Sequence, residues 1–428
     1  MLTDDAKLGM NFNLLFSESI TQGVWLACMA VRLALEFNAT TLESQDRERT
    51  QIEKHMRVCL VVNPGFETAI TVASSEPILA EAACLLMCDR KAFDLPRALL
   101  HELERPGLDK GYRGELVCLV LLLIARDLAV EEKNADFMAF EVTRFIEKLF
   151  ISKWSSVILG SKPAKLCTKD DDKEFRECFA NSRMHFNHFI KVHDFKVINR
   201  AFLWPLIARG AAVLCANNQG GVDVILPFLY SDGKLGRDNV SAIFIQVKND
   251  KRFSSTPNQF LFNAINPYFL GFFDIDEENP VPIVRMVFAL AASNGCVKSV
   301  ANVPRRKNAS RAAKSKTKKR NGRCPAYTTY DIWCAKTSAE TFAVVSPDDE
   351  QTYAGLLNVS RVFPNAYEAG TTIEYVKSAR RNMNPGMAIH PDHWSQFVKV
   401  EREFAEDEVI DAEIDFDLEE GVDEDVET

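Results

Sequence analysis

The stretch from Gly220 to Lys248, GGVDVILPFLYSDGKLGRDNVSAIFIQVK, constrains the fold more than any other. Two apolar runs rich in Val, Ile and Phe flank a polar segment of Ser, Asp, Gly, Lys and Asn. Runs of this kind, bounded by turn-forming residues, predict two buried strands joined by a loop. Asp223 falls near the start of the first strand, and Gln246 and Lys248 near the end of the second. Unpaired polar groups cost several kcal/mol to bury, so these three side chains need a reason to be there. Either they hold a metal, or they are satisfied locally at the rim of a sheet.

The chain before this stretch reads as mostly helical. LLFSESITQGVWLACMAVRLALEF carries apolar residues at helical spacing and then breaks at the polar ATTLESQDRERTQ. EPILAEAACLLMCDRKAF follows with Pro77 at a first helical position, and LPRALLHELERPG is ended by Pro106 and Gly107. KGYRGELVCLVLLLIARDLAVEE is apolar nearly all round, which predicts a central helix. DFMAFEVTRFIEKLF adds another. KLCTKDDDKEFRECFANSRMHFNHFIKVHDF reads as a loop and then an amphipathic helix. Beyond Lys248, PVPIVRMVFALAAS and YTTYDIWCAKTSAETFAVV predict further strands, and EQTYAGLLNVSRVFP a short helix.

Charge divides the chain. Residues 401–428 hold fifteen acids against one Arg, a net of −14, so the total of −9 leaves residues 1–400 at about +5. Residues 305–323 hold ten Lys or Arg and no acid. Neither segment has the apolar surface to fold alone. The longest apolar run, Leu116–Ala125, is shorter than the ~18 residues of a membrane span, so no membrane is expected as a partner. The N-terminus lacks the basic and apolar segments of a secretory signal, and most of the eleven cysteines fall inside apolar runs, as Cys28, Cys59, Cys118 and Cys215 do. This pattern suits reduced thiols in an intracellular protein.

Gln246 and Lys248 are two apart and share one face of a strand, which Asp223 can approach from a neighbouring strand. A carboxylate and an amide oxygen are hard ligands suited to Mg²⁺, and a lysine beside them can orient or deprotonate water and offset phosphate charge. Gly221-Val222-Asp223-Val224-Ile225 followed by Ile243-Phe244-Ile245-Gln246-Val247-Lys248 resembles the PD-(D/E)XK nuclease superfamily, with Gln246 in place of the usual carboxylate. The resemblance implies an α/β fold: a restriction-endonuclease-like mixed sheet flanked by helices, with a mostly helical N-terminal region. It implies Mg²⁺-dependent cleavage of DNA, with Asp223, Gln246 and Glu115 on the metal and Lys248 activating water. Glu115 is the match for the acid that an upstream helix of this superfamily supplies. The neutral amide leaves the motif one acid short. A catalytically inactive nucleic-acid-binding relative, linked to mobile elements, is therefore the alternative, and a helical protein-interaction module is the third. The wording of the chain is also similar, more loosely, to proteins of mushroom-forming fungi.

The expected organisation is a helical region over 1–105 and a nuclease-like core over 106–300 with a helical insertion at about 130–200. A basic disordered loop over 301–326, strands and a helix completing the core over 327–381, and an irregular acidic tail over 382–428 follow. Within the basic loop, Arg305-Arg306-Lys307 and Lys318-Lys319-Arg320 lie ten residues apart, similar to a bipartite nuclear-localisation signal. Nucleic acid and a nuclear import receptor are the expected partners, and the nucleus the expected place. His185, His188 and His193 form a weaker cluster: the first two could share a helix face, but no further ligand completes a metal site. His390 and His393 are equally incomplete. Cys84 and Cys88, one helical turn apart, read as buried thiols. No phosphate-binding glycine loop and no GxSxG occurs.

Overall fold

Apolar residues at three- and four-residue spacing fold the N-terminal part into helices α1 (Gln22–Leu33), α3 (Pro77–Cys88), α4 (Leu95–Glu104) and α5 (Arg113–Glu131). The computed structural model describes residues 20–37, 42–62, 69–88, 93–104, 112–131, 139–216, 219–231, 233–300 and 325–358. All of these belong to one unit, Met1–Val359. The basic segment 305–323, His390, His393 and the acidic tail lie outside the described residues. Between α1 and α3 come α2 (Leu42–Lys54) and an antiparallel ribbon of β1 (Val58–Val62) and β2 (Ala69–Val72). After α5, the short β3 (Phe140–Glu141) leads into α6 (Val142–Leu149), α7 (Ser152–Leu159) and α8 (Phe175–Cys178).

The remaining strands build a mixed sheet. They are β4 (Arg183–Met184), β5 (His188–Lys191), β6 (Ala211–Leu214), β7 (Val224–Leu229), β8 (Val240–Lys248), β9 (Ile283–Ala289), β10 (Cys296–Ser299) and β11 (Thr329–Ala335). Helix α9 (Arg200–Arg209) precedes β6, α10 (Gln259–Ala264) lies between β8 and β9, and α11 (Glu350–Asn358) follows β11. The order runs β10-β11-β9-β8-β7, and the sheet forks at β7. The start of β7 pairs antiparallel with β6, which lies parallel to β5. Its end pairs antiparallel with β4, and β4 with β3. β8 runs antiparallel to β7 and parallel to β9, as expected where a helix rather than a tight turn joins two strands.

Both faces of the sheet are covered, which explains why the central strands read as continuous apolar runs. Ile243, Ile245 and Val247 of β8 face a core shared with α1, α3, α4 and α5. Val240, Ala242 and Phe244 alternate to the opposite core, against α9 and α10. In that second core Arg285 of β9 is fully buried. It holds Asp331 of β11 in a two-pronged ion pair at 2.8 and 2.6 Å and donates to the Ile265 carbonyl at 3.1 Å. Among the described residues, no helix is long and apolar enough to cross a membrane.

Two expectations fail locally. The polar segment after α1, expected as a break, forms α2. It is held by polar contacts: Gln51 Nε2 donates to Gly23 O at 3.1 Å, and Arg47 pairs with Glu102. The histidine segment, expected as an amphipathic helix, forms β4 and β5 instead. His185 and His188 therefore share no helix face. His185 bonds the Ile207 carbonyl through Nδ1 at 2.7 Å, and His188 lies between Ser75 and Asn187 at 2.9 and 2.7 Å.

Candidate functional site

Asp223 sits one residue ahead of β7, between two strands. Its carbonyl accepts from Cys215 N–H at 2.8 Å and its own N–H donates to Ile245 O at 2.9 Å. The ladder pairs Val224 with Ile245, so two consecutive residues are held by one, as in a β-bulge. The side chain then takes over from the backbone: Val247 N–H donates to Asp223 Oδ2 at 2.6 Å. Gly221, two residues earlier, has φ +84°. A Cβ there would overlap the Ala264 carbonyl at the end of α10. The chain thus turns away from β8 at Gly221, and a carboxylate is left at the point where the two strands part.

Helix α5 brings a second carboxylate to the same rim. A Cβ on Gly114 would lie 3.0 Å from Asn249 Cβ and 3.3 Å from Val247 Cγ1, so its absence lets the first turn of α5 press against the end of β8. Glu115 follows in that turn. Burial pushes Asp223 up to about 6, and the Glu115 carboxylate adds to the rise. The Val247 amide and the Lys248 and Lys191 ammoniums work against it. Glu115 is raised as well, by burial, with Lys191 and Lys248 opposing. Beneath the pair, Cys118 is raised by burial and by both carboxylates. Asp223, Glu115, Lys248 and Lys191 therefore act on one another at one end of the sheet.

Lys248 ends β8 and lies 5.7 Å from the Phe253 ring centroid. Lys191 ends β5, is 3.7 Å from Glu36 Oε2, and stands 5.2 Å from the centroid of Tyr112, next to the start of α5. Lys191 was not anticipated, although it closes an apolar Phe-Ile-Lys run much as Lys248 closes β8. Gln246 is only 7% exposed, and its Oε1 has no hydrogen-bond partner. Strand alternation turns it with Phe244 toward the α10 side, away from the face that Val247 presents to α5. Three of the four residues expected from the sequence are thus joined electrostatically, and Gln246 is not brought together with them.

A family model described as "Domain of unknown function (DUF8736)" matches residues 43–266, more than half of the chain. The chain belongs to this family. The DUF8736 span contains Glu115, Lys191, Asp223, Gln246 and Lys248, so the whole rim falls within it. No curated protein and no solved structure matches the chain.

Proposed function

We propose that this DUF8736 protein is a Mg²⁺-dependent nuclease of PD-(D/E)XK type that hydrolyses phosphodiester bonds in DNA. The observation that carries the reading is the mutual placement of Asp223 and Glu115, two carboxylates raised by burial, with Lys248 and Lys191 on the same rim. Two acids that raise one another's charge cost in this way repel when ionised, and a divalent cation held by both would relieve that repulsion. Oxygen donors alone make a set suited to Mg²⁺. Asp223 and Glu115 supply its charge, and Gln246, whose Oε1 has no hydrogen-bond partner, would add a neutral donor only by turning from the α10 side toward them. When bound, the ion polarises a phosphoryl oxygen. Lys248 orients the attacking water as an ammonium donor, the water's proton leaves to solvent, and Lys191 offsets phosphate charge. The strands β6, β7 and β8 form an antiparallel meander, and α10 crosses to the parallel β9, which supports a restriction-endonuclease-like core. The basic clusters at Arg305, Arg306, Lys307 and Lys318, Lys319, Arg320 suit a DNA backbone and a nuclear import receptor.

The test is nicking of supercoiled plasmid, and cleavage of single-stranded DNA and RNA, by the purified chain with Mg²⁺ or with chelator. Wild type should cleave only with Mg²⁺. Asp223→Ala, Glu115→Gln and Lys248→Ala should each lower the rate by roughly 100-fold or more with the fold retained. Absence of cleavage by well-folded wild type on all these substrates overturns catalysis. The neutral Gln246 favours a second reading, a relative that binds nucleic acid without cutting it. Salt-sensitive DNA binding in the absence of cleavage would support that one.

A further inference from the structure

A second buried cluster lies in the helical layer. Cys84 and Cys88, one turn apart on α3, have their sulfurs 3.6 Å from one another. Arg126 Nη1 donates to Cys84 Sγ at 2.8 Å and to Asp127 Oδ1 at 3.1 Å. Arg32 grips the same Asp127 with two nitrogens, at 3.0 and 2.7 Å, and donates to the Asn187 carbonyl at 2.9 Å. Two guanidiniums thus face one carboxylate and one thiol, and the remaining positive charge falls on the thiol. Cys84, Cys88 and Asp127 have metal-ligand spacing. Both Asp127 oxygens, however, are already bound by arginine, and two cations beside them repel a third.

We propose that Cys84 and Cys88 form a peroxide-reactive dithiol, with Cys84 as the attacking thiolate and Cys88 as the resolving thiol. The chemistry of each sulfur suits its role. The hydrogen bond from Cys88 holds Cys84 below the ordinary thiol range, with Arg32 and Arg126 assisting against burial. That same bond pushes Cys88 far up and keeps it protonated. Thiolates stabilised by arginine are the reactive ones. Cys84 is only 1% exposed, which favours an oxidant the size of hydrogen peroxide. A cavity of about 160 Å³, lined in part by Arg32, Met87, Ile124 and Asp127, opens beside the cluster.

The Cys84 thiolate attacks one peroxide oxygen and the O–O bond breaks. Hydroxide leaves and takes a proton from solvent, and Cys84 becomes a sulfenic acid. The Cys88 thiol then attacks Cys84 Sγ and the S–O bond breaks. The Cys88 proton leaves with the hydroxyl as water. The two sulfurs lose two electrons to form a disulfide, and the peroxide is reduced to two waters. Residues four apart on a helix lie about 5–6 Å between Cβ atoms, wider than the roughly 3.5–4.5 Å of a disulfide, so closure unwinds the last turn of α3, which Cys88 ends.

The test is exposure of the native full-length chain to hydrogen peroxide, followed by alkylation under denaturing conditions and peptide mass spectrometry. Cys84 and Cys88 should be lost together into one linked peptide. Their loss should be at least ~10-fold faster than that of Cys118 and Cys334, and dithiothreitol should reverse it. In Cys88→Ser, Cys84 should stop at a sulfenic acid that dimedone traps. Arg126→Gln should slow the oxidation of Cys84 while leaving Cys118 and Cys334 unchanged. Equal rates at all four cysteines, or no Cys84–Cys88 linkage in wild type, overturns the proposal.

Discussion

Asp223 Oδ2 accepts the Val247 amide at 2.6 Å, so a side chain stands in for a backbone carbonyl at the point where β7 and β8 part. This contact opposes, without cancelling, the burial and the Glu115 charge that raise Asp223 to about 6. The carboxylate is thereby held in place by the sheet it interrupts.

The first prediction concerns stability against pH. The unfolded carboxyl titrates near 3.9 and the folded one at about 6. As pH rises between these values the unfolded chain loses its proton first, so the Asp223 contribution to stability falls through that window and is flat above it. Asp223→Asn keeps an acceptor for Val247 and removes the charge. The variant should match wild type near pH 4 and exceed it by about 1–3 kcal/mol at pH 7.5. Urea denaturation at the two pH values checks this, and a variant weaker than wild type at pH 7.5 would contradict it.

Mg²⁺ should act on the same charges from the other direction. If the ion binds the folded rim alone, millimolar Mg²⁺ should raise the melting temperature of wild type and leave Asp223→Asn nearly unmoved. Gln246→Glu sharpens the point. Without metal it places a charge at a buried position and should cost about 2–4 kcal/mol. With Mg²⁺ the loss should be largely recovered if position 246 reaches the ion. Differential scanning fluorimetry of the three proteins, with and without Mg²⁺, reads both effects. A Gln246→Glu variant that Mg²⁺ does not rescue would place position 246 outside the ion's shell.

Gly221 offers a test of the backbone itself. Its φ of +84° and the Ala264 carbonyl beside it leave no room for a side chain. Gly221→Ala should cost about 2–4 kcal/mol, since both the left-handed backbone and the overlap must be relieved. Displacement of Asp223 should follow, so any Mg²⁺-dependent shift in melting temperature should shrink with it. Chemical denaturation gives the first quantity and fluorimetry the second.

β7 and β8 were legible because a fully covered strand must be apolar along its length, and Gly and Asp mark its ends. Glu115 was read only through the resemblance, as an acid at the start of the helix with the longest apolar run; the close approach of Gly114 to β8 that brings it to the rim is not visible in the sequence. The segment around His188 misled for a physical reason: its strand exists through parallel pairing with β6, which local spacing cannot register. Lys191 was missed along with it. Helix α2 was missed because its stability comes from contacts such as Gln51 to Gly23, not from an apolar stripe. Cys84 and Cys88 were visible as a pair, but Arg126 and Arg32, which give them their chemistry, approach from other helices.

The Arg285–Asp331 pair supplies the last prediction. It joins β9 to β11 inside the second core, and the guanidinium also satisfies the Ile265 carbonyl after α10. Removing one partner leaves the other charge buried and alone. Arg285→Met should therefore cost about 3–5 kcal/mol, and Asp331→Leu a similar amount. The double variant buries neither charge, so it should be more stable than either single one, with a coupling of about 1–3 kcal/mol. The Ile265 carbonyl stays unsatisfied in the double variant and limits the recovery. Because α10 also carries the Ala264 carbonyl against Gly221, loosening this anchor should transmit to the rim. Hydrogen exchange should show faster opening of the Val247 amide in Arg285→Met than in wild type. Unchanged exchange at Val247 would mean that the rim is held by β6, β8 and α5 alone.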